Sequence, residues 1–252
     1  DPFIMRGLDA LNYSCYQDSR FMLVATPSGI SLAPEGGAHQ SISTPLIGMG
    51  QDNLTSFDPA FVDELSVIME WGFKYMQEED GSSIYLRLST RPIIQIDRDI
   101  ESIRNDIIAG AYWLKEPTSS TELIIAYSGA VVPEAQKALE EVIDDIPSIS
   151  LLAITSSDRL HKDWRAKDSE SHISNLLQKI STNASIVTVI DGSSATLSWL
   201  GAVNGNRVYS LGVDRFGQSG DIPDLYREYG INTESIIDAC AKVFLNKLSN
   251  NE

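Results

Sequence analysis

Glu122–Thr155 reads ELIIAYSGAVVPEAQKALEEVIDDIPSISLLAIT, and its reading decides the fold. Glu122–Tyr127 is an apolar run of strand length. Val132–Asp144 carries apolar residues at helical spacing, with Pro133 near its start, where a missing N–H costs nothing. Ser150–Thr155 is a second apolar run. Outward from this unit the alternation continues. Ser185–Ile190 and Arg207–Leu211 read as strands, and Ser169–Ile180, Ser193–Gly201 and Thr233–Lys247 as helices. Toward the amino terminus Ile100–Lys115 reads as a helix, preceded by a polar, Pro-containing linker, Ser89–Asp99. Before the linker come strands at Phe21–Thr26 and Ser83–Leu88. Between them lies a helix opened by Asp58-Pro59, with Asp58 as its cap and Phe61, Leu65, Ile68, Gly72 and Tyr75/Met76 on one face. Short strands alternating with helices predict an α/β protein whose mostly parallel sheets are covered on both faces.

Composition narrows the function classes. Of 252 residues, 19 are Lys or Arg and 35 Asp or Glu, a net charge of −16. Such a surface lacks the clustered cations that nucleic acid or an anionic membrane requires. Two cysteines, Cys15 and Cys240, cannot form a disulfide framework; both read as core fillers, and a cytoplasmic location is expected. No apolar run approaches the ~20 residues of a membrane span. The chain opens on Asp1-Pro2, directly into helix-like sequence with Phe3, Leu8, Leu11 and Tyr13, which predicts a piece of a longer protein.

The richest segment for chemistry is Thr26–Ser43, TPSGISLAPEGGAHQSIS. It follows a strand end, where α/β proteins place ligands. Gly36-Gly37 permits close backbone approach, His39 can exchange a proton near neutral pH, and Glu35 lies four residues before it. A surface loop with a merely hydrogen-bonded histidine has the same composition. His161 lies in a solvated-looking charged segment and His172 on the polar side of its helix. Neither has metal-ligand spacing, so no metal site is assigned. Walker and G-x-S-x-G motifs are absent, and Gly48-Met49-Gly50 is no dinucleotide fingerprint.

The stretch LAPEGGAHQSISTPLIGMGQDNLTSFDPAFVDEL resembles the thiamine-diphosphate enzymes of the transketolase group. Its nearest likeness is to the homodimeric pyruvate dehydrogenase first component and its transketolase-like cousins. LGVDRFGQSGDIPDLYREYGINTESIIDACAKVF resembles the closing segment of the same family. The resemblance implies an incomplete pyrimidine-binding domain over 1–92, followed by a transketolase C-terminal-like α/β domain over 100–252. It implies thiamine diphosphate with Mg²⁺ as cofactors of the intact subunit. The Gly-Asp-Gly…Asn motif is missing, and the activating glutamate would precede residue 1, so the diphosphate and metal ligands fall outside this chain.

Carried over by position, Phe3 corresponds to the aromatic that stacks on the cofactor's aminopyrimidine. His39 corresponds to the catalytic histidine facing substrate, with Glu35 and Gln40 as substrate-binding neighbours. Two departures stand out. Pro27 replaces a sugar-contacting histidine, and Thr90 replaces a phosphate-gripping arginine, with Arg91 one step away. These losses favour a 2-oxo acid dehydrogenase component that decarboxylates a pyruvate-like acid and passes the acyl unit to a lipoyl-bearing acyltransferase. The alternatives are transketolase-type ketol transfer between sugar phosphates and an inactive dimerisation and binding module. The implied partners are a second copy of the subunit and its missing amino-terminal part.

Overall fold

This computed structural model describes residues 1–249, and among them eight strands form two sheets. The first is all parallel, in the order β1 (Met22–Ala25), β3 (Ser83–Arg87), β2 (Leu54–Phe57). The second runs β4 (Ala111–Lys115), β6 (Ser150–Ile154), β5 (Leu123–Ser128), β7 (Ser185–Ile190), β8 (Arg207–Leu211), parallel except for β4. The α/β architecture read from the alternating segments is therefore the one observed.

The continuous apolar runs follow from double-sided burial. In β5, Leu123, Ile125 and Tyr127 enter one apolar cluster, while Ile124 and Ala126 enter another on the opposite face. Val187/Val189 and Ile186/Ile190 of β7 divide in the same way. α5 (Val132–Val142) and α11 (Thr233–Ser249) cover the first face. On the other, α7 (His172–Leu177), α8 (Ala195–Ser198) and α9 (Leu200–Asn204) bury Ile173, Leu197 and Leu200. In the first sheet α1 (Leu8–Tyr16) packs Leu11 and Cys15 against Tyr85, and α3 (Val62–Tyr75) packs Val67 and Ile68 with Ile84 and Leu86. That latter cluster continues without a break into Tyr112, Ile125 and Tyr226, so the two sheets share apolar core.

Several local readings are corrected by tertiary demands. Asp58 does not cap α3. Its carboxylate bonds to Arg87, and the cap is the buried Glu64 carboxylate, which accepts from the N–H groups of Ala60 (2.7 Å) and Phe61 (3.1 Å). Pro59 accordingly precedes the helix. Ile100–Lys115 is not one helix. α4 (Arg104–Ala109) ends at Gly110, whose φ of 118° is left-handed, and the next residues become edge strand β4. Tyr112 and Trp113 then face opposite clusters, a period of two that helical reading concealed. The supposed solvated segment around His161 is helix α6 (Ser157–Lys167), capped by Ser156, and His161 packs its ring 5.0 Å from Trp199. The helix expected over Ser169–Ile180 is confined to α7, and His172 at its start places Nε2 2.7 Å from the Ala111 carbonyl oxygen.

A Cβ at Gly110 would lie 2.6 Å from the Ser156 carbonyl oxygen in addition to the φ strain, whereas one at Gly50 meets nothing within 4 Å. Gly110→Ala should therefore lose about 1–3 kcal/mol of unfolding free energy while Gly50→Ala stays within about 1 kcal/mol of wild type, measured by urea denaturation. Equal effects of the two would contradict the close approach.

Candidate functional site

β1 delivers the chain to the carboxyl edge of the first sheet, and the loop that follows is closed at its neck. The Ser28 N–H donates to the Leu88 carbonyl (2.9 Å), the Gly29 N–H to Ser41 Oγ (2.7 Å), and the Ser41 N–H to the Gly29 carbonyl (3.0 Å). Two short 3₁₀ turns, Ala33–Glu35 and Gly37–His39, flank Gly36 at φ 80°. The glycine pair is needed for contact with the closing Phe-Gly turn. A Cβ on Gly36 would stand 2.6 Å from Ser219 Oγ, and one on Gly37 2.8 Å from the Gly217 carbonyl oxygen.

Phe3, Glu35 and His39 come together. His39 Nε2 lies 3.7 Å from Glu35 Oε2, and its ring meets that of Phe3 edge-on, centroids 5.3 Å apart. Phe3 is half exposed, with the Arg6 guanidinium 5.2 Å over its ring. His39 Nδ1 is buried and has no partner. The turn bearing Phe3, Pro2–Gly7, is held by Asp1, whose carboxylate accepts from Thr44 Oγ1 (2.6 Å) and the Tyr85 hydroxyl. Gln40 is placed differently. It is buried, its amide donates to the Gln218 carbonyl (3.0 Å), and its oxygen accepts from the Tyr229 hydroxyl (3.2 Å). Gln40 thus ties the histidine loop to the carboxyl-terminal turn and α10 (Ile222–Tyr229).

Beneath the loop lies a charged centre that sequence reading missed. Arg87, 2 % exposed, pairs with Asp1 (3.4 Å) and Asp58 and donates to the Asp191 carbonyl (3.0 Å). The Asp191 carboxylate in turn accepts from the Ile30 N–H and the Tyr226 hydroxyl, each at 3.0 Å. A Cβ on Gly29 would fall 2.2 Å from Asp191 Cγ. Asp158 repeats the pattern, accepting from the Ser56 N–H at 2.9 Å. Burial pushes Asp191 and Asp158 up to about 6, against the pull of these donors and nearby cations. The available signals were a charge inside the apolar run SIYLRL and an aspartate directly ending SIVTVI. Arg91 is likewise committed. It pairs bidentately with Glu134 (2.6 and 2.7 Å), donates to the Ala130 carbonyl, and lies 4.9 Å over the Tyr226 ring. Among the described residues no group of three or more His, Cys, Asp or Glu could hold a metal ion.

Residues 110–232 match the transketolase-like TK C-terminal domain family. The chain is 24 % identical over 246 residues to transketolase-1 of Arabidopsis thaliana chloroplasts, covering 95 % of this chain and 30 % of that protein. Its fold superposes on a Pichia stipitis transketolase solved with sedoheptulose 7-phosphate, at a TM-score of 0.78 and 22 % identity, over 98 % of this chain and 33 % of that one. It also matches the structure of a split-gene transketolase, an inactive β4 tetramer, at 0.66 and 16 % identity, over 98 % of this chain and 74 % of that one. The chain resembles the thiamine-diphosphate-dependent transketolase superfamily over nearly its whole length. More particularly, it spans about a third of the length of the curated transketolases it matches. These relatives carry the transketolase name, which fits ketol transfer better than the 2-oxo acid dehydrogenase reading.

Two outcomes follow from the site. Gln40→Ala should speed amide hydrogen exchange in the loop at 28–41 by about tenfold or more while leaving β5 protected; an unchanged loop would remove Gln40's tying role. Asp191 and Asp158 take up protons more readily folded than unfolded, so each costs stability as pH rises from 3.8 to about 6. The cost is absent below that window and full above it, on the order of 3 kcal/mol per carboxylate. Asp191→Asn should flatten this decline in urea midpoints, and an identical slope in the variant would contradict the assignment.

Proposed function

We propose that this chain is the histidine-loop and carboxyl-terminal part of a thiamine-diphosphate enzyme of transketolase type, which moves a two-carbon ketol unit between sugars. The observation that carries the reading is His39 held edge-on against Phe3 with its Nε2 beside Glu35. The names of the relatives support the choice of reaction.

The cofactor, when bound, supplies the carbanion chemistry. Phe3 offers a half-exposed aromatic face on which a flat ring stacks. His39 presents its accessible Nε2 edge, which lies 3.7 Å from Glu35 Oε2, toward a substrate oxygen that gains negative charge. Among the described residues no group of three or more His, Cys, Asp or Glu is placed to hold Mg²⁺, and the amino-terminal part of the subunit is the proposed source of the diphosphate and metal ligands. A second copy of the subunit and the missing amino-terminal part are the proposed partners, and a reducing cytoplasm the location. Ketol transfer needs no lipoyl-bearing partner.

One observation favours the 2-oxo acid alternative. Arg91 is locked to Glu134, and Pro27 carries no donor, so neither can grip a sugar phosphate here. Turnover of the intact protein with xylulose 5-phosphate plus an aldose acceptor, against pyruvate plus a lipoyl acceptor, separates the two. In the intact protein His39→Ala should lower kcat at least tenfold with the preferred substrate, and unchanged turnover would sink its catalytic role. The 252-residue chain alone should be inactive, like the similar split-gene β4 tetramer. Sub-micromolar calorimetric binding of thiamine diphosphate with Mg²⁺ to this chain alone would contradict that.

A further inference from the structure

We infer that a second site, for a small organic monocarboxylate, lies at the amino-terminal edge of the first sheet, at the opposite strand ends from His39. A cleft of ≈ 360 Å³ opens there between Leu54 at the start of β2, Ser82 just before β3, and α6. Arg159 lines it. Its Nε donates to the Ile108 carbonyl (2.7 Å), and its guanidinium lies 4.6 Å over the ring of Trp71, which stacks on Tyr75 at 4.4 Å.

This arginine differs from three others that are buried or partly buried. Arg87, Arg91 and Arg98 each pair with a carboxylate. Arg159 is partly buried, yet it has no ion pair, and its two amino nitrogens have no hydrogen-bond acceptor among the described residues. Withdrawal from water lowers its pKa, against the opposing pull of Asp158, Tyr75 and Asp163. A carboxylate entering the cleft would restore the bidentate pairing that the fork of a guanidinium is shaped for. Lys162, which also lines the cleft, is a second cation but is already engaged, with Nζ 2.9 Å from the Leu54 carbonyl and 3.5 Å from the Asp158 carboxylate. Tyr75 and Ser82, whose hydroxyls stand 3.1 Å apart, supply neutral polar contacts.

The same lining sets the charge of the ligand. Asp52, Asp80 and Asp163 outnumber the two cations of the lining, so every negative charge on a ligand works against the gain at the guanidinium, and a phosphate dianion is disfavoured more than a monocarboxylate. The site is independent of the histidine loop and of the reaction assigned to it.

The Trp71 indole reports on the site, because it underlies the guanidinium. Its ¹H–¹⁵N resonance, assigned with Trp71→Phe, should shift saturably when the protein is titrated with acetate or pyruvate, and inorganic phosphate at about pH 8.5, where it is mostly the dianion, should bind at least about tenfold more weakly. Arg159→Met should abolish the shift. Asp80→Asn, at an exposed position, should strengthen phosphate binding several-fold. His39→Ala should leave acetate binding unchanged. No saturable shift in the folded wild type, a shift that survives Arg159→Met, or phosphate binding as tightly as acetate would each overturn the assignment.

Discussion

Arg87 carries a positive charge in a strand whose every residue is buried, and the surroundings of the functional loop are arranged to answer it. Its guanidinium reaches Asp1 from the amino-terminal turn, Asp58 from the segment after β2, and the Asp191 carbonyl from the second sheet. Three remote stretches are thereby held at one point. Removing one partner of a buried, hydrogen-bonded charge typically costs about 3–5 kcal/mol, because the other is left uncompensated. The centre therefore constrains how the two sheets meet more tightly than apolar packing alone would, since apolar contact is non-directional.

The histidine loop inherits its position from this centre. Asp191 anchors Ile30 at the loop's entry, and only a glycine fits beside it at position 29. At the far end Gln40 is clamped by Gln218 and Tyr229. Between the clamps Gly36 and Gly37 lie against the Phe-Gly turn, with no room for a Cβ at either. His39 is consequently presented by a loop fixed at both ends, with one ring nitrogen toward Glu35 and the other unpartnered. The carboxyl-terminal unit thus has a physical role in the site: it braces the loop, although none of its residues contacts the His39 ring in the pairings above.

The readings that failed share a cause. Asp58 looked like a helix cap because Asp before Pro usually is one. It was drawn away by Arg87, and Glu64 took over the capping from within the helix. Ile100–Lys115 looked helical until Gly110 turned left-handed and Tyr112 and Trp113 had to face opposite cores. Gln40, beside His39 in the chain, shows the same pull of tertiary partners, since its buried amide is satisfied at both ends by the Gln218 carbonyl and the Tyr229 hydroxyl.

By itself the sequence determined the alternation of strands and helices, because apolar runs and helical spacing express burial of each element against whatever neighbour it finds. It also marked the Gly-Gly-Ala-His loop, since such a run of small, flexible and titratable residues follows a strand end. Only the tertiary structure decided which polar groups meet. Arg87 with Asp58 and Asp191, Arg91 with Glu134, and Gln40 with Tyr229 are separated in the chain by spacings that carry no local signal. A buried charge or amide takes the partner that three-dimensional packing brings within about 3 Å, and no periodicity along the chain encodes that distance.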